Sequence, residues 1–131
     1  MDSIPVKTGR RQELLDITSQ VGEYLSKNGF NSGVLTIYCP HTTAGLTINE
    51  GADPSVVRDI LVSLEKLIPR HGDYRHMEGN SDAHIKTSLT GPSVQVIVED
   101  GRPMLGTWQK IFFAEFDGPR SRKVWLKWLR G

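Results

Sequence analysis

Three of the four histidines fall in two dense polar segments, Cys39-Pro40-His41-Thr42-Thr43-Ala44-Gly45 and His76-Met77-Glu78-Gly79-Asn80-Ser81-Asp82-Ala83-His84-Ile85-Lys86. Imidazole is the commonest metal ligand in proteins and a general acid or base near neutral pH. If the fold brings the two segments together, they form a three-histidine site. Three neutral imidazoles with an open fourth position describe a catalytic-type divalent centre, zinc being the first choice. Glu78 and Asp82 are then further ligands, or acceptors that orient the rings through their second N–H. The spacing matches no standard zinc signature, so exposed or helix-capping histidines in a polar loop stay open as the alternative. His71, among Arg70, Gly72 and Asp73, reads as a surface residue.

The neighbouring polar residues sort by what else explains them. Cys39 shares a strand face with Leu35 and Ile37, which makes it a core residue rather than a ligand or nucleophile. Asp53 precedes Pro54 and reads as a helix cap. Thr42, Thr43 and Gly45 suit binding of a phosphate or another polar group, and equally a strand-end turn. Glu50 is close in sequence to His41 and is a candidate general base; a solvated loop carboxylate is the other reading. Glu115 lies on a core-like strand face and needs a partner. Arg120 and Arg122 can provide one, or can hold an anionic substrate through their guanidinium forks.

These groups must be positioned by a small set of elements. Ile4 to Thr8 suits a short edge strand. Leu14, Ile17, Val21, Tyr24 and Leu25 recur at helical spacing, which predicts an amphipathic helix over roughly 16–28 with Gly29 at its end. Residues 32–39 read as a strand that delivers His41 through Pro40, and Gly45 to Asn49 as another short strand. A second helix opens at Asp53-Pro54, carries Val57, Ile60, Leu61, Leu64, Leu67 and Ile68 as its apolar stripe, and stops at Pro69. A polar loop over 70–82 is long enough to suggest function. A short helix over 81–89 and three strands follow, at about 94–99, 107–116 and 121–129, with turns at Asp100-Gly101 and Asp117-Gly118-Pro119. Strand, turn, strand, turn, strand at the end favours an α+β fold: one compact domain over 1–131 with a mainly antiparallel sheet and two principal helices. The last strand is apolar on both sides, which points to subunit contact.

Composition narrows the class. With 131 residues the chain is long enough for a core without disulfides or a structural metal. Sixteen basic against fifteen acidic side chains argue against a nucleic-acid partner. The single cysteine suits a reducing, cytoplasmic compartment. No apolar run approaches the length needed to span a bilayer, so no membrane partner is expected.

The segments His41-Thr42-Thr43-Ala44-Gly45-Leu46-Thr47-Ile48-Asn49-Glu50, His76-x-Glu78-Gly79-Asn80-x-x-Ala83-His84-Ile85-Lys86 and Gly106-Thr107-Trp108-Gln109 resemble the YjbQ-like family in order and spacing. That family is described as a secondary thiamine-phosphate synthase. The resemblance implies a small α+β domain assembled as a homotrimer, with a metal or ligand site at His41, His76 and His84. It also matches Asn49, Glu50, Asp53, Lys86, Ser88, Trp108, Gln109, Glu115 and Arg122 to positions of the family pattern. Thiamine-phosphate synthesis would expel pyrophosphate and needs anion binding and charge neutralisation. The chain has no Gly-rich phosphate loop or Asp-rich magnesium motif, and imidazole ligation suits zinc better than magnesium.

The expectation is a metal-dependent enzyme acting on a small anionic or phosphorylated metabolite, with thiamine-phosphate synthesis as a secondary activity. His41, His76 and His84 bind zinc and Glu50 is the general base. Thr42, Asn49, Lys86, Ser88, Gln109 and Arg122 line or support the substrate pocket. The alternatives are a non-enzymatic trimeric module that binds metal or metabolite, and histidines that surround a phosphate without metal.

Overall fold

The computed structural model describes residues 1–131. In chain order its elements are β1 (Asp2–Lys7), β2 (Glu13–Asp16), α1 (Thr18–Asn28), β3 (Gly33–Tyr38), β4 (Ala44–Glu50), α2 (Pro54–Leu67), α3 (Ser81–Thr90), β5 (Ser93–Glu99), β6 (Arg102–Pro103), β7 (Gln109–Glu115) and β8 (Ser121–Arg130). The strands form two sheets, one of five in the order β1-β8-β3-β5-β6 and one of three in the order β2-β7-β4. Every pairing is antiparallel. The fold class is therefore the expected α+β, with the sheet divided in two and the short helix expected over 81–89 present as α3.

The main core lies between the sheets. Leu35, Ile37, Val96, Val98, Val124 and Leu126 of the larger sheet meet Leu46, Ile111 and Phe113 of the smaller one, joined by Ile17, Val21 and Leu25 at α1. Cys39 belongs to the same cluster, as its strand parity requires. The opposite face of the small sheet is covered as well: Ala114 and Phe116 pack with Ala83 of α3, and Leu64 of α2 packs against that group. This explains why Ile111 to Phe116 is buried without a break, where simple alternation predicts one buried face. A central strand between two covered faces has no solvent side.

The local signals act where the residues place them. Asp53 Oδ1 accepts from the Ser55 N–H at 2.9 Å at the start of α2, with Pro54 in the first turn. Gly29 ends α1 in the left-handed conformation at φ 64°, a geometry that costs glycine little. Asp100 and Gly101, both at positive φ, make the tight turn that pairs Glu99 with Arg102.

Two elements differ from expectation. Leu14, part of the helical spacing, lies in β2, where it pairs with Ala114; the helix begins only at Thr18, whose N–H is held by Asp16 Oδ1 at 2.9 Å. A heptad-like spacing carried across an edge strand cannot be distinguished from a helix until a pairing partner is present. The turn at Asp100-Gly101 leads first into the two-residue β6 rather than directly into the next long strand. No helix is long and apolar enough to cross a membrane.

Candidate functional site

One polar cleft of about 450 Å³ gathers side chains from four parts of the chain. His41, Thr42 and Thr43 come from the turn between β3 and β4. His76, Glu78 and Asn80 come from the polar loop, and His84 from the first turns of α3. Asp117, Arg120 and Arg122 come from the β7–β8 turn and the start of β8. The two histidine-bearing segments do meet.

His41 is half-buried and held by main chain. Its Nε2 lies 3.1 Å from the Lys123 N and 3.2 Å from the Lys123 O, so that nitrogen is engaged in either tautomer. Burial first, then the positive charge of Arg122, lowers its pKa; the contact with Lys123 works the other way. Burial and the Arg122 charge thus favour the neutral imidazole. His76 and His84 stand edge to face with ring centroids 5.5 Å apart. With a metal–nitrogen bond of about 2.1 Å and a tetrahedral angle, two ligating imidazoles have centroids about 5 Å apart, so these two rings are at ligand spacing. As the side chains stand, no three of the histidine, cysteine, aspartate and glutamate groups converge closely enough to hold an ion. The donor types nonetheless suit a borderline metal. Within the chain, only the Nε2 of His41 is hydrogen-bonded, which leaves Nδ1 as its available donor.

Beneath the cleft runs a buried ion pair. Glu115 is fully buried and accepts from Arg122 Nε at 2.8 Å, Thr8 Oγ1 at 2.7 Å and the Asp117 N–H at 3.1 Å. Arg122 Nη2 also bonds Glu115, and donates to Thr43 Oγ1 at 2.8 Å. Burial opposes ionisation of Glu115, but the bonds from Arg122, Thr8 and Asp117 outweigh it and hold its pKa below the usual value. The expected partnership of Glu115 with an arginine is met by Arg122. Arg120 instead takes Asp117, at 3.0 Å.

The remaining expected site residues are elsewhere. Glu50 and Asn49 end β4, in register with Gln109 and Lys110 of β7. At about 3.3 Å per residue, β4 carries them about 20 Å from the His41 end. Glu50 there accepts from the Ala52 and Asp53 N–H groups, and Gln109 accepts from the Gly106 N–H. Proximity in sequence to His41 misleads because the intervening chain is extended. Lys86 is fully buried, at 2.6 Å from Glu65 and 3.1 Å from Asp82, and joins α2 to α3 rather than facing a pocket. Ser88 is exposed, its hydroxyl bonded to the His84 carbonyl. Asp82 is likewise not a ligand: Arg11 grips both of its oxygens at 3.1 and 3.2 Å. His71 is exposed and lines a neighbouring groove that shares His76 and Glu78 with the cleft.

Asn80 and Asp117 were not singled out as site residues by the sequence, whereas Arg120 was a candidate there for holding an anionic substrate. Asn80 lay within the resemblance motif and Asp117 within a turn signal, and neither has a periodicity that marks it. The pKa of Asp117 is lowered: burial raises it, but hydrogen bonds from Asn80 and Arg120 and the charges of Arg120 and Arg11 prevail.

An α+β domain of two antiparallel sheets with a histidine-lined polar cleft defines the class of this protein. The chain belongs to the UPF0047 YjbQ-like family, whose model matches residues 2–131. A UPF0047 protein of Methanocaldococcus jannaschii is 56% identical over 122 residues, covering 93% of this chain and 88% of the relative. The UPF0047 protein YugU of Bacillus subtilis is 52% identical, with 97% of each covered. The crystal structure of a YjbQ/UPF0047 protein from Clostridium acetobutylicum superposes with a TM-score of 0.95 at 53% identity, covering 98% of this chain and all of that one.

Proposed function

We propose that the chain is a metal-dependent enzyme whose cleft takes a small phosphorylated metabolite. One observation carries the reading: imidazoles from separated segments, His41, His76 and His84, line one polar cleft together with Arg120 and Arg122. The three histidines would hold the metal, zinc by donor type. Such an ion supplies Lewis-acid polarisation of a phosphoryl or carbonyl oxygen.

The chain's own residues divide the other tasks. Arg120, with its side chain 52% exposed, offers a guanidinium edge to an anion. Arg122 is committed to Glu115 and acts through Thr43, whose hydroxyl it fixes on the cleft wall. Thr42 is exposed at the rim and contributes a second hydroxyl. Asp117 is engaged by Asn80 and Arg120 and Glu50 lies at the far end of β4, so with the three histidines on the metal no side chain of the cleft is assigned as general base. Thiamine-phosphate synthesis enters as a secondary activity, the arginines neutralising the departing pyrophosphate. A cytoplasmic homotrimer is the assembly. It is supported by α2, whose apolar stripe contains no buried residue within one chain, and light scattering at micromolar concentration measures it.

Elemental analysis is the test. The purified protein dialysed against zinc is expected to retain about one ion per chain, and His84→Ala to lose it while remaining folded. Unchanged metal content in His84→Ala refutes the site. A non-enzymatic binding module is the second reading, favoured by the engagement of the cleft's buried carboxylates in ion pairs. Turnover of a phosphate ester abolished by His41→Ala would exclude it.

A further inference from the structure

Arg120 is the accessible guanidinium of the cleft: its side chain is half-exposed, whereas that of Arg122 is buried against Glu115. One edge of its fork is spent on a single residue. Nε donates to the Asp117 carbonyl at 2.8 Å and Nη2 to Asp117 Oδ2 at 3.0 Å. The other edge, Nη1 with the outer N–H of Nη2, carries no bond within the chain. Asp117 is itself firmly seated. Its N–H donates to Glu115 at 3.1 Å, its Oδ2 also accepts from Asn80 at 2.8 Å, and the Gly118 N–H beside it donates to the Arg11 carbonyl at 2.9 Å. The main chain of Arg120 is fixed too, its N–H donating to Thr8 Oγ1 at 2.8 Å. An arginine ordinarily gives up much rotamer freedom when an anion orders it. Here two bonds to a fixed residue order the side chain in advance.

We propose that Asp117 is a positioning residue of the cleft, holding Arg120 so that its free Nη1–Nη2 edge meets two oxygens of a phosphate; this rests on the reading of the cleft as an anion site. Guanidinium forks match phosphate oxygens in pairs, so orientation matters as much as charge. Asp117 touches the arginine and not the ligand. A carboxylate so close to a bound phosphate also repels it. Charge and geometry therefore oppose each other at this residue, and its substitutions carry opposite signs under the two.

Calorimetric titration of the zinc-dialysed full chain with inorganic phosphate, at low and fixed ionic strength, separates them. By charge alone Asp117→Ala would bind phosphate more tightly than the unaltered protein. Positioning makes it bind about tenfold more weakly, the size of one charge-assisted bond. Asp117→Asn removes the same charge but keeps an oxygen for Asn80 and Arg120, and is expected to restore binding to within about threefold of the unaltered protein. In an Arg120→Ala background, Asp117→Ala is expected to cause no further loss. Tighter or unchanged binding by Asp117→Ala, equal losses in Asp117→Ala and Asp117→Asn, or a further loss in the Arg120→Ala background overturns the role of Asp117 and leaves the anion site standing. Should Asp117→Ala not fold, Arg120→Lys takes its place: it keeps the cation without the fork and should bind about tenfold more weakly, and binding as tight as with arginine overturns the inference. Failure of the unaltered protein to bind phosphate overturns the anion site and this inference together.

Discussion

Replacing Glu115 with glutamine removes one charge from a buried pair and leaves the other in place. Side-chain exposure is 0% for Glu115 and 6% for Arg122, so solvent screens little of the loss. Breaking such a pair by removing one partner costs about 3–5 kcal/mol. With an unfolding entropy of roughly 2.1 cal/mol/K per residue, the 131 residues total about 0.28 kcal/mol/K. The midpoint should therefore fall by roughly 11–18 °C. Thermal and urea unfolding, followed by circular dichroism at one protein concentration, measure it. Glu115→Leu combined with Arg122→Met removes both charges and should recover most of the loss, because no uncompensated charge is then left buried. A Glu115→Gln variant within about 1 kcal/mol of the parent would refute the view that this pair is a closed unit.

The same pair sets a direction with pH. The pKa of Glu115 is held below its ordinary 4.5 in the folded chain. Its stabilisation is therefore complete above about pH 4.5 and is lost as pH falls through the folded value, where the unfolded chain takes up the proton first. Urea midpoints between pH 7 and pH 3 should decline on that side, and less steeply in Glu115→Gln.

Three further substitutions probe other parts of the frame. Thr18→Val removes the hydroxyl that accepts from the Ile111 N–H at 2.8 Å; an amide left unpaired there should cost about 1–3 kcal/mol in urea unfolding. Gly45→Ala places a methyl group 2.6 Å from the Gly91 carbonyl and closer still to Thr90 Oγ1, and should lower stability by about 1–3 kcal/mol through overpacking. Lys86→Ala leaves Asp82 with Arg11 alone and Glu65 without its cation, and should cost about 3 kcal/mol or more by the same measurement.

How much was legible follows from the physics of each signal. Caps and turns act within a few residues, so Asp53-Pro54, Gly29 and Asp100-Gly101 could be read directly. Pairing is not local. The placement of Leu14 in β2 depends on Ala114, a hundred positions along the chain, and the two-sided burial of Phe112 and Phe113 depends on helices elsewhere. The site divides in the same way. His41, Thr42, His76, His84 and Arg122 meet as expected because the resemblance carried information across the chain. Glu50, Asn49 and Gln109 were assigned by closeness in sequence to His41 or by the family pattern, which an extended strand converts into distance within one chain. Lys86 was assigned through the family pattern; within one chain its ammonium is held by the buried carboxylate of Asp82 and by Glu65, partners that sequence spacing does not show. Asn80 was invisible as a donor or acceptor until Asp117 stood beside it.

Helix α2 is held to the rest of the chain chiefly at one point. Glu65 meets Lys86, receives the Gln12 amide at 2.6 Å and accepts from the Arg70 N–H at 3.2 Å, while no residue of the helix is buried. A segment with so few buried apolar contacts opens at low free energy. Its amide hydrogens should then exchange ahead of those in β7, and protection across 56–67 should rise with protein concentration if a second chain covers the apolar stripe. The exchange rate of one helix thus becomes a gauge of assembly, readable residue by residue without separating the oligomer.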